Sequence, residues 1–215
     1  MKISLKLLDT NSEINTKILL AIQDYLQPAF NKTQQSVQKL LPEIAKQALM
    51  SEPEYNSLLA GQLRAELGVP DASERIESLF DYWSANMVIV TKPITIKASR
   101  LHGGFNLNLI KSDFSDIIDL PLGIVTDNIS GSVIPWLKWL LLDGSKILIR
   151  NYQVQMGSNS RSRTGQAIMI SSDKQNWRVP AQFAGTINNN WITRAINRLD
   201  DTVINNIESE LEKNI

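Results

Sequence analysis

The spacing of apolar residues changes near residue 85, and this change limits the folds that the chain can adopt. From Ile14 to Trp83 apolar side chains recur every three or four positions, which is the spacing of one face of an α-helix. Further along, Phe105, Leu107 and Leu109 alternate with asparagines, and a period of two is typical of a half-buried strand. The sequence therefore predicts an α+β fold in which helices come first.

The first helix has a start signal and an expected stop. Thr10 and Glu13 match a capping box, in which each side chain satisfies a free amide at the start of a helix. Pro28 is expected to end this helix, and a second helix is expected to follow it. The first helix carries an apolar stripe that we expect to be buried. The stripe consists of Ile14, Ile18, Ala21, Ile22 and Tyr25.

Two further boundary signals lie downstream. A second capping box, Ser51 with Glu54, predicts a helix whose apolar stripe continues to Gly68, since glycine is common directly after a helix. In the strand region the sequence His102-Gly103-Gly104 has turn chemistry, because glycine adopts positive φ without a steric penalty. We therefore expect a hairpin turn at residues 102–104.

The remaining elements are expected to complete one domain, residues 1–215. We predict a mostly antiparallel sheet of four to five strands over residues 85–172, with a helix inserted near 135–143. A C-terminal helix is predicted over residues 190–213. The sheet is expected to pack against this helix and against the mainly helical residues 1–84.

The charge balance argues against several classes of function. Lys and Arg total 22 and Asp and Glu total 22, so no net positive field attracts a nucleic-acid duplex. The absence of cysteine rules out disulfides and thiolate ligands, and it is compatible with a reducing cytoplasm. No apolar run approaches the roughly 20 residues that span a bilayer, so no membrane partner is expected.

Residues that could carry catalysis are sparse. His102 is the single histidine, and the glycine-rich phosphate and dinucleotide motifs and the hydrolase nucleophile elbow are all missing. Asp113, Asp116 and Asp119 lie in an irregular segment and could form an acid–base pair or a magnesium site, although such loop carboxylates are usually just solvated. We predict no catalytic residue, no metal and no cofactor, with a small carboxylate-based hydrolase as the less favoured alternative.

The segment WRVPAQFAGTINNNWITRAI concentrates tryptophan and arginine just before the last helix. Trp177, Arg178, Trp191 and Arg194 fit an interface with another subunit, because these residue types are enriched in interface hot spots. The tryptophans could equally fill the core. The run of three asparagines is expected to cap the last helix.

The polar loop GSNSRSRTG carries two further candidates, Arg161 and Arg163. Guanidinium groups pair well with phosphate and with carboxylates, so these residues could contact DNA or an acidic neighbour. The alternative is a solvated hairpin tip.

Five segments resemble virion proteins of tailed bacteriophages, especially myophages of T4-like or cyanophage type. The five are AGQLRAELGVPD, LHGGFNLNLIKSD, PWLKWLLLDG, SRTGQAIM and WRVPAQFAGTINNNWITRAI. The element order is similar to that of the head-to-tail joining proteins known as neck, tail-completion or tail-terminator proteins. The resemblance runs from Ala60 to Ile196 and includes the helix motif of Gly61, Leu63 and Arg64. The long helical N-terminal region and the insert at 113–130 depart from the smaller tail-completion proteins.

The resemblance implies a structural protein without an enzymatic step. Such a protein would form a sixfold or twelvefold ring at the head-to-tail junction, join capsid to tail and leave a lumen for the transient passage of DNA. Its partners would be copies of itself and connector, portal-side, tail-tube or sheath proteins. It would be made in the host cytoplasm and located in the virion, with Arg161 and Arg163 at the lumen or a neighbour. The alternative is a baseplate or tail-tube component.

Overall fold

The structure is a computed structural model, and it describes residues 8–108, 114–127 and 131–215. It confirms an α+β chain with a long N-terminal helix and a C-terminal helix. The helices are α1 (Asn11–Met50), α2 (Pro53–Ala60), α3 (Gln62–Leu67), α4 (Ala72–Ala85), α5 (Ser115–Ile118), α6 (Trp136–Leu141) and α7 (Trp191–Asn214), with a 3₁₀ turn at Pro121–Gly123. The strands are β1 (Val88–Lys97), β2 (Arg100–Asn108), β3 (Val125–Thr126), β4 (Val133–Ile134), β5 (Ile149–Met156) and β6 (Ala167–Trp177).

The chain divides into two compact units, each built from segments that are distant in sequence. Unit 1 consists of Met1–Leu40, Val88–Asn108 and Val203–Ile215. Unit 2 consists of Leu41–Met87 and Leu109–Thr202. That all 215 residues form a single domain stays a prediction.

The predicted sheet of four to five strands is wrong. The described strands form three separate antiparallel sheets of two strands each, β1–β2, β3–β4 and β5–β6. Apolar alternation identifies a strand, but it does not determine which strands pair. Each strand here pairs with its neighbour in sequence, and in unit 1 a helix takes the place of the next strand.

The hairpin turn predicted at His102–Gly104 is also wrong. The loop between β1 and β2 is Ala98–Ser99, and both residues have positive φ, 47° and 57°, as a type I′ turn requires. Gly103 lies inside β2, where an added Cβ would stand 3.0 Å from Ile94 Cγ1. This glycine therefore permits a close approach of β1 instead of a turn.

The Ala98–Ser99 turn leads to a prediction about stability. Left-handed backbone costs a non-glycine residue roughly 1–2 kcal/mol, and Asn-Gly is the preferred type I′ pair. Replacing Ala98 by Asn together with Ser99 by Gly should therefore raise the free energy of unfolding by about 1 kcal/mol. Urea denaturation followed by circular dichroism measures this, and Ala98→Val, which adds a β-branched side chain, should lower stability instead.

The first helix starts as predicted but does not stop at Pro28. The Thr10 amide donates to Glu13 Oε2 at 2.7 Å and the Glu13 amide donates to Thr10 Oγ1 at 3.3 Å, which confirms the capping box. The helix then continues through Pro28 and Pro42 for 40 residues. A proline inside a helix costs about 3 kcal/mol, so tertiary contacts must support the continuous helix.

Glutamine side chains of α1 supply such contacts to β1. Two pairs of glutamines bind the backbone of two isoleucines: Gln23 and Gln27 bind Ile94, and Gln34 and Gln38 bind Ile89. At Ile94, Gln23 Nε2 donates to the carbonyl oxygen at 2.6 Å and the amide donates to Gln27 Oε1 at 3.0 Å. The pairs therefore satisfy the outer edge of β1 as a neighbouring strand would.

The spacing of the two glutamine pairs matches the geometry of a helix beside a strand. Eleven residues separate the pairs on α1, which is about 16.5 Å of helix and close to three full turns. Five residues separate Ile89 from Ile94, which is also about 16.5 Å of strand. Both pairs therefore face β1 in register, and they hold α1 on either side of Pro28.

Gln27→Met tests this arrangement. The substitution leaves the Ile94 amide without its acceptor, so we expect a loss of about 1–3 kcal/mol in the free energy of unfolding. Gln47→Met is the matched control, because Gln47 is exposed and bonds only to Glu43 of the same helix. It should change stability by less than about 0.5 kcal/mol in the same urea titration.

The apolar stripe expected to be buried on α1 is largely exposed. Ile18 is 52% exposed, Ile22 39% and Tyr25 61%. The core of unit 1 buries α1 further along the helix, at Ala29 and Val37, and Ala29 lies one turn after Tyr25 on the same side. The stripe has helical spacing, but spacing alone does not show that a second surface of the same chain covers it.

The helix predicted from Ser51 to Gly68 is two helices. Gly61 separates α2 from α3 with extended backbone, and Gly68 ends α3 in the left-handed conformation, φ 63°, as predicted. The Ser51–Glu54 capping box is wrong: Ser51 Oγ donates to the Ala48 carbonyl, and Glu52 occupies the N-cap position. Glu54 is buried and has a different partner, as described below.

Candidate functional site

The segment 177–196 lies in unit 2, and Trp177 anchors its start. The indole Nε1 of Trp177 donates to Glu66 Oε2 in α3 at 2.8 Å. Its ring lies 5.8 Å from that of Trp139 in α6. Only 5% of Trp177 is exposed, which supports the core interpretation of this side chain.

Trp191 is also buried in unit 2. Its Nε1 donates to the Leu49 carbonyl near the end of α1 at 2.9 Å, and its ring meets Phe80 edge to face at 5.5 Å. With 1% exposure, the indole lies inside the described chain. A subunit-interface role for the two tryptophans stays a prediction.

Between the tryptophans, the chain is held by close backbone contacts and a helix cap. The Gly185 amide donates to the Leu140 carbonyl at 3.0 Å, and an added Cβ would lie 2.3 Å from that oxygen. Asn190 caps α7, since its Oδ1 accepts from the Thr193 amide at 3.0 Å while its own amide donates to Thr193 Oγ1 at 2.7 Å. The cap predicted for the asparagine run is thus confirmed at Asn190.

Arg194 belongs to a cluster of charged side chains that also contains Glu52, Glu54 and Arg198, which we call the carboxylate cluster. Arg194 Nε bonds to Glu52 Oε2 at 3.3 Å, and Arg194 Nη2 bonds to Glu54 Oε1. Arg198 Nη1 lies 3.3 Å from Glu52 Oε1. Both carboxylates are buried, with exposures of 1% and 0%, while the arginines reach solvent. The cluster therefore joins the start of α2 to the first turns of α7.

Burial perturbs the ionisation of one carboxylate in this cluster. Removal from water raises the pKa of Glu54, and the hydrogen bond from Arg194 and its positive charge oppose that rise. Glu54 Oε2 is buried without a hydrogen-bond partner in the described part of the chain. The ion pairs thus compensate the desolvation of Glu54 only in part.

The carboxylate cluster fits a structural role better than acid–base chemistry. A catalytic carboxylate must reach a substrate or a water molecule. Glu52 and Glu54 instead contact arginine, and neither lines the cavities described next. The cluster therefore gives no support to the carboxylate-based hydrolase alternative.

The loop arginines lie at a cavity of about 680 Å³ in unit 2, which we call the hairpin cavity. The β5–β6 hairpin lines it together with α3, β4, Trp139 of α6 and residues next to β3 and β4. Arg163 Nε donates to the Gly68 carbonyl at 3.0 Å, and its Nη1 lies 3.6 Å from Asp127 Oδ1. Arg163 therefore holds the end of α3. Arg161 also lines the cavity, and its guanidinium bonds to no residue that the structure describes.

The six predicted site residues thus divide among three places. Trp177, Arg161 and Arg163 lie in or next to the wall of the hairpin cavity, and Trp191 and Arg194 lie at the buried joint of α1, α2 and α7. Arg178 is exposed and has no ion pair or hydrogen bond to the described residues. These six residues lie close together in the sequence, but the sequence alone does not show that their side chains point to different regions of the fold.

Sequence reasoning missed both acidic partners, Glu52 and Glu54. A signal was present, because Arg194 and Arg198 are one helical turn apart on α7 and such a pair favours acidic neighbours on one face. The sequence does not reveal which of the 22 acidic residues lies opposite them. Glu66, the acceptor of the Trp177 indole, was missed for the same reason.

The aspartate group proposed as a possible metal site is not supported. Asp113 lies outside the described residues. Asp119 lines a second cavity of about 640 Å³ together with Arg75, and Asp116 lies in α5. Among residues 8–108, 114–127 and 131–215, no three His, Cys, Asp or Glu side chains are placed to hold a metal ion together.

Comparisons of the chain with protein-family models, with curated proteins and with solved structures find no match. Within the described residues, no helix has both the length and the apolar character needed to cross a membrane.

Proposed function

We propose that the chain is a structural subunit that assembles with other protein subunits as a ring at the head-to-tail junction of a tailed bacteriophage. The observation that carries the proposal is the uncovered edge of a long hairpin, β5–β6. A sheet of only two strands is marginally stable in water, and an open edge offers its amides and carbonyls to another chain. Such an edge is a natural contact for a neighbouring subunit.

The backbone pattern shows which groups of β5–β6 face outward. The Gly157 amide donates to the Gln166 carbonyl at 2.8 Å, so this pair bonds across the hairpin. Bonded and non-bonded pairs alternate in an antiparallel ladder, and the uniform register therefore turns the backbone groups of Tyr152 and Ser171 outward. In the described chain no group bonds to these outward amides, in contrast to the glutamine-covered edge of β1.

The proposed position in the particle rests on the sequence resemblance over residues 60–196. A closed ring needs two different complementary patches on each subunit, and an open strand edge supplies one of them. The buried charges of the carboxylate cluster and the packing of segment 177–196 support a rigid scaffold for this edge. The partners of the ring would be connector, portal-side or tail-tube and sheath proteins, and DNA would pass through its lumen.

Native mass spectrometry of the purified full-length chain tests the ring, with a sixfold or twelvefold mass expected. Ser171→Pro removes one outward amide of β6 without breaking a bond inside the hairpin, so it should reduce the ring fraction. Ser171→Ala keeps that amide and is the matched control. If both variants form the ring to the same extent, the β6 edge is not part of the subunit interface.

Electron microscopy of particles that contain the chain tests its location. Density at the junction between portal and tail is expected. Density at the baseplate or along the tail tube would favour the alternative position and overturn the assignment to the junction. A chain that remains monomeric and turns over a substrate would overturn the structural role as a whole.

A further inference from the structure

The α1 helix carries an apolar stripe that the described chain leaves largely exposed, although Ile14 is half-buried and the Tyr25 hydroxyl donates to the Ile215 carbonyl. Ile14, Ile18, Ala21 and Tyr25 follow one another at intervals of four, three and four residues, which is the spacing of the seam in a coiled coil. Ile18 is 52% exposed and Tyr25 is 61% exposed, and Ala21 is exposed as well. We call these four residues the outer stripe.

The outer stripe lies on the N-terminal part of α1, before the residues that unit 1 buries. Ala29, one turn after Tyr25 on the same side of the helix, is buried, as are Thr33 and Val37 further along. A helix whose exposed side repeats apolar residues at seam spacing is suited to pack against another helix. The next seam positions are Asn11 at one end and Pro28 at the other, so the apolar seam is short and bounded.

We propose that the outer stripe packs against the outer stripe of a second copy of this chain, with the two α1 helices antiparallel. The seam of a coiled coil alternates between two kinds of position, a and d. In an antiparallel pair, each a position of one helix faces a d position of the other. Ile18 then packs against the partner's Ala21, and Tyr25 packs against the partner's Ile14. Each layer combines side chains of different size, and the layers repeat by twofold symmetry.

Flanking charges select a second copy in this orientation. Lys17 and Asp24 each precede a seam residue on the same side of the stripe. In the antiparallel pair these positions face one another, so Lys17 of each chain meets the partner's Asp24, and twofold symmetry gives two such contacts per pair. In a parallel pair Lys17 would face the partner's Ile22, and no opposite charges would meet.

Both charges are available for this contact. Asp24 has no ion pair or hydrogen bond to the residues that the structure describes. Lys17 Nζ lies 2.7 Å from Asp9, but this pair is exposed, with 66% and 46% of the two side chains accessible. Exposed ion pairs contribute little, so Lys17 can exchange Asp9 for the partner's Asp24 at small cost.

The size of the contact determines its expected strength. Ile14 and Tyr25 are eleven residues apart, which is about 17 Å along the helix. A contact of this length is small for a stable interface, so we expect a dissociation constant on the order of micromolar. The contact is isologous and closes on two copies. It is therefore separate from the ring contact and does not rest on the location at the head-to-tail junction.

Sedimentation velocity of the full-length chain over a range of concentrations tests the pairing. The wild-type mass should rise with concentration, and Ile18→Lys should raise the dissociation constant of the pair at least tenfold. Leu20→Lys is the matched control, because Leu20 is 47% exposed on the same helix but lies outside the outer stripe. Equal effects of the two substitutions, or a wild-type chain without concentration dependence, would overturn the proposal.

Two further experiments test the orientation and the partner. Lys17→Asp and Asp24→Lys should each weaken the pair, and the double exchange should restore it. The chain has no cysteine, so Ile18→Cys mixed with Ala21→Cys should give a disulfide between the two variants under oxidation, while neither variant alone should cross-link. Cross-linking of Ile18→Cys with itself would indicate a parallel pair and contradict the proposal.

Other occupants of the outer stripe have their own signature. If a segment of the same chain covers the stripe, Ile18→Lys should lower the unfolding midpoint without a change in mass, and the mixed cysteine variants should not cross-link. If a different protein covers it, the purified chain should show neither cross-link nor concentration dependence. Either result overturns the proposal. Ser171→Pro tests the ring contact and should leave the α1 cross-link intact.

Discussion

Replacing Trp191 by alanine is expected to lower the free energy of unfolding by about 3–5 kcal/mol. Truncating a buried tryptophan costs about 3–5 kcal/mol, because the cavity closes only in part. The substitution also removes the indole N–H bond to the Leu49 carbonyl, which then keeps only the Glu52 amide as its donor, at 3.3 Å. The expected loss is a large fraction of the whole stability of a typical domain, about 5–15 kcal/mol.

Urea denaturation followed by circular dichroism measures the effect of Trp191→Ala. Trp191→Phe is the matched control: it keeps an aromatic ring beside Phe80 and removes only the N–H and part of the volume. We expect that control to cost about 1–3 kcal/mol and to remain folded. If Trp191→Ala instead kept the native spectrum and midpoint but lost its oligomers, Trp191 would be an interface residue and not a core residue.

Local signals in the sequence were reliable wherever a helix end depends on its own neighbours. The Thr10–Glu13 box, the left-handed Gly68 and the Asn190 cap all form as their residue types predict. The helix near 135–143 and the C-terminal helix are also present. In each case the group that satisfies the free amide or carbonyl lies within a few residues, so local chemistry is sufficient.

Predictions failed where a distant segment decides the outcome. Pro28 would end an isolated helix, but glutamine contacts to β1 support α1 on both sides of it. The residues at 102–104 have turn chemistry, yet the close packing of Gly103 on Ile94 places them within a strand. The number of strands in a sheet likewise depends on what covers each strand edge. Glutamine side chains cover the edge of β1, and the sequence patterns that predict strands do not reveal this contact.

The candidate site shows the same limit. The sequence identified Trp177, Trp191 and Arg194 as unusual residues close to one another, and the structure shows that all three make specific contacts. Their partners, Glu66, Leu49 and Glu52, lie more than a hundred residues away in sequence. A single sequence records the chemical type of a side chain, but the partner that satisfies it depends on the tertiary fold.

The ion pairs of Arg194 lead to the second large prediction. Arg194→Met keeps an unbranched apolar stem in place of the arginine methylenes and removes the charged guanidinium, so Glu54 loses its ion pair and Glu52 retains only Arg198. Breaking a buried pair by removing one partner costs about 3–5 kcal/mol, and we expect the lower end because the guanidinium is partly exposed. Arg198→Met is the matched control, because that side chain is 60% exposed and should cost less than about 1 kcal/mol.

The loss in Arg194→Met should also depend on pH, with a sign that follows from Glu54. Burial raises the pKa of Glu54 in the folded chain above its ordinary value, so the folded state binds this proton more tightly than the unfolded state. The contribution of Glu54 to stability is therefore fully present below the unfolded pKa, near 4.5, and is lost as the pH rises through the folded value. Without Arg194 the pKa of Glu54 rises further, and the fall becomes larger.

Urea titrations of wild type and Arg194→Met at about pH 4 and about pH 7.5 measure this dependence. The difference between the two proteins should be larger at the higher pH, where Glu54 must be charged without its partner. In a Glu54→Gln background this additional pH dependence should disappear, since the amide does not titrate. A loss of equal size at both pH values would mean that Arg194 stabilises unit 2 through packing of its side chain and that its charge contributes little.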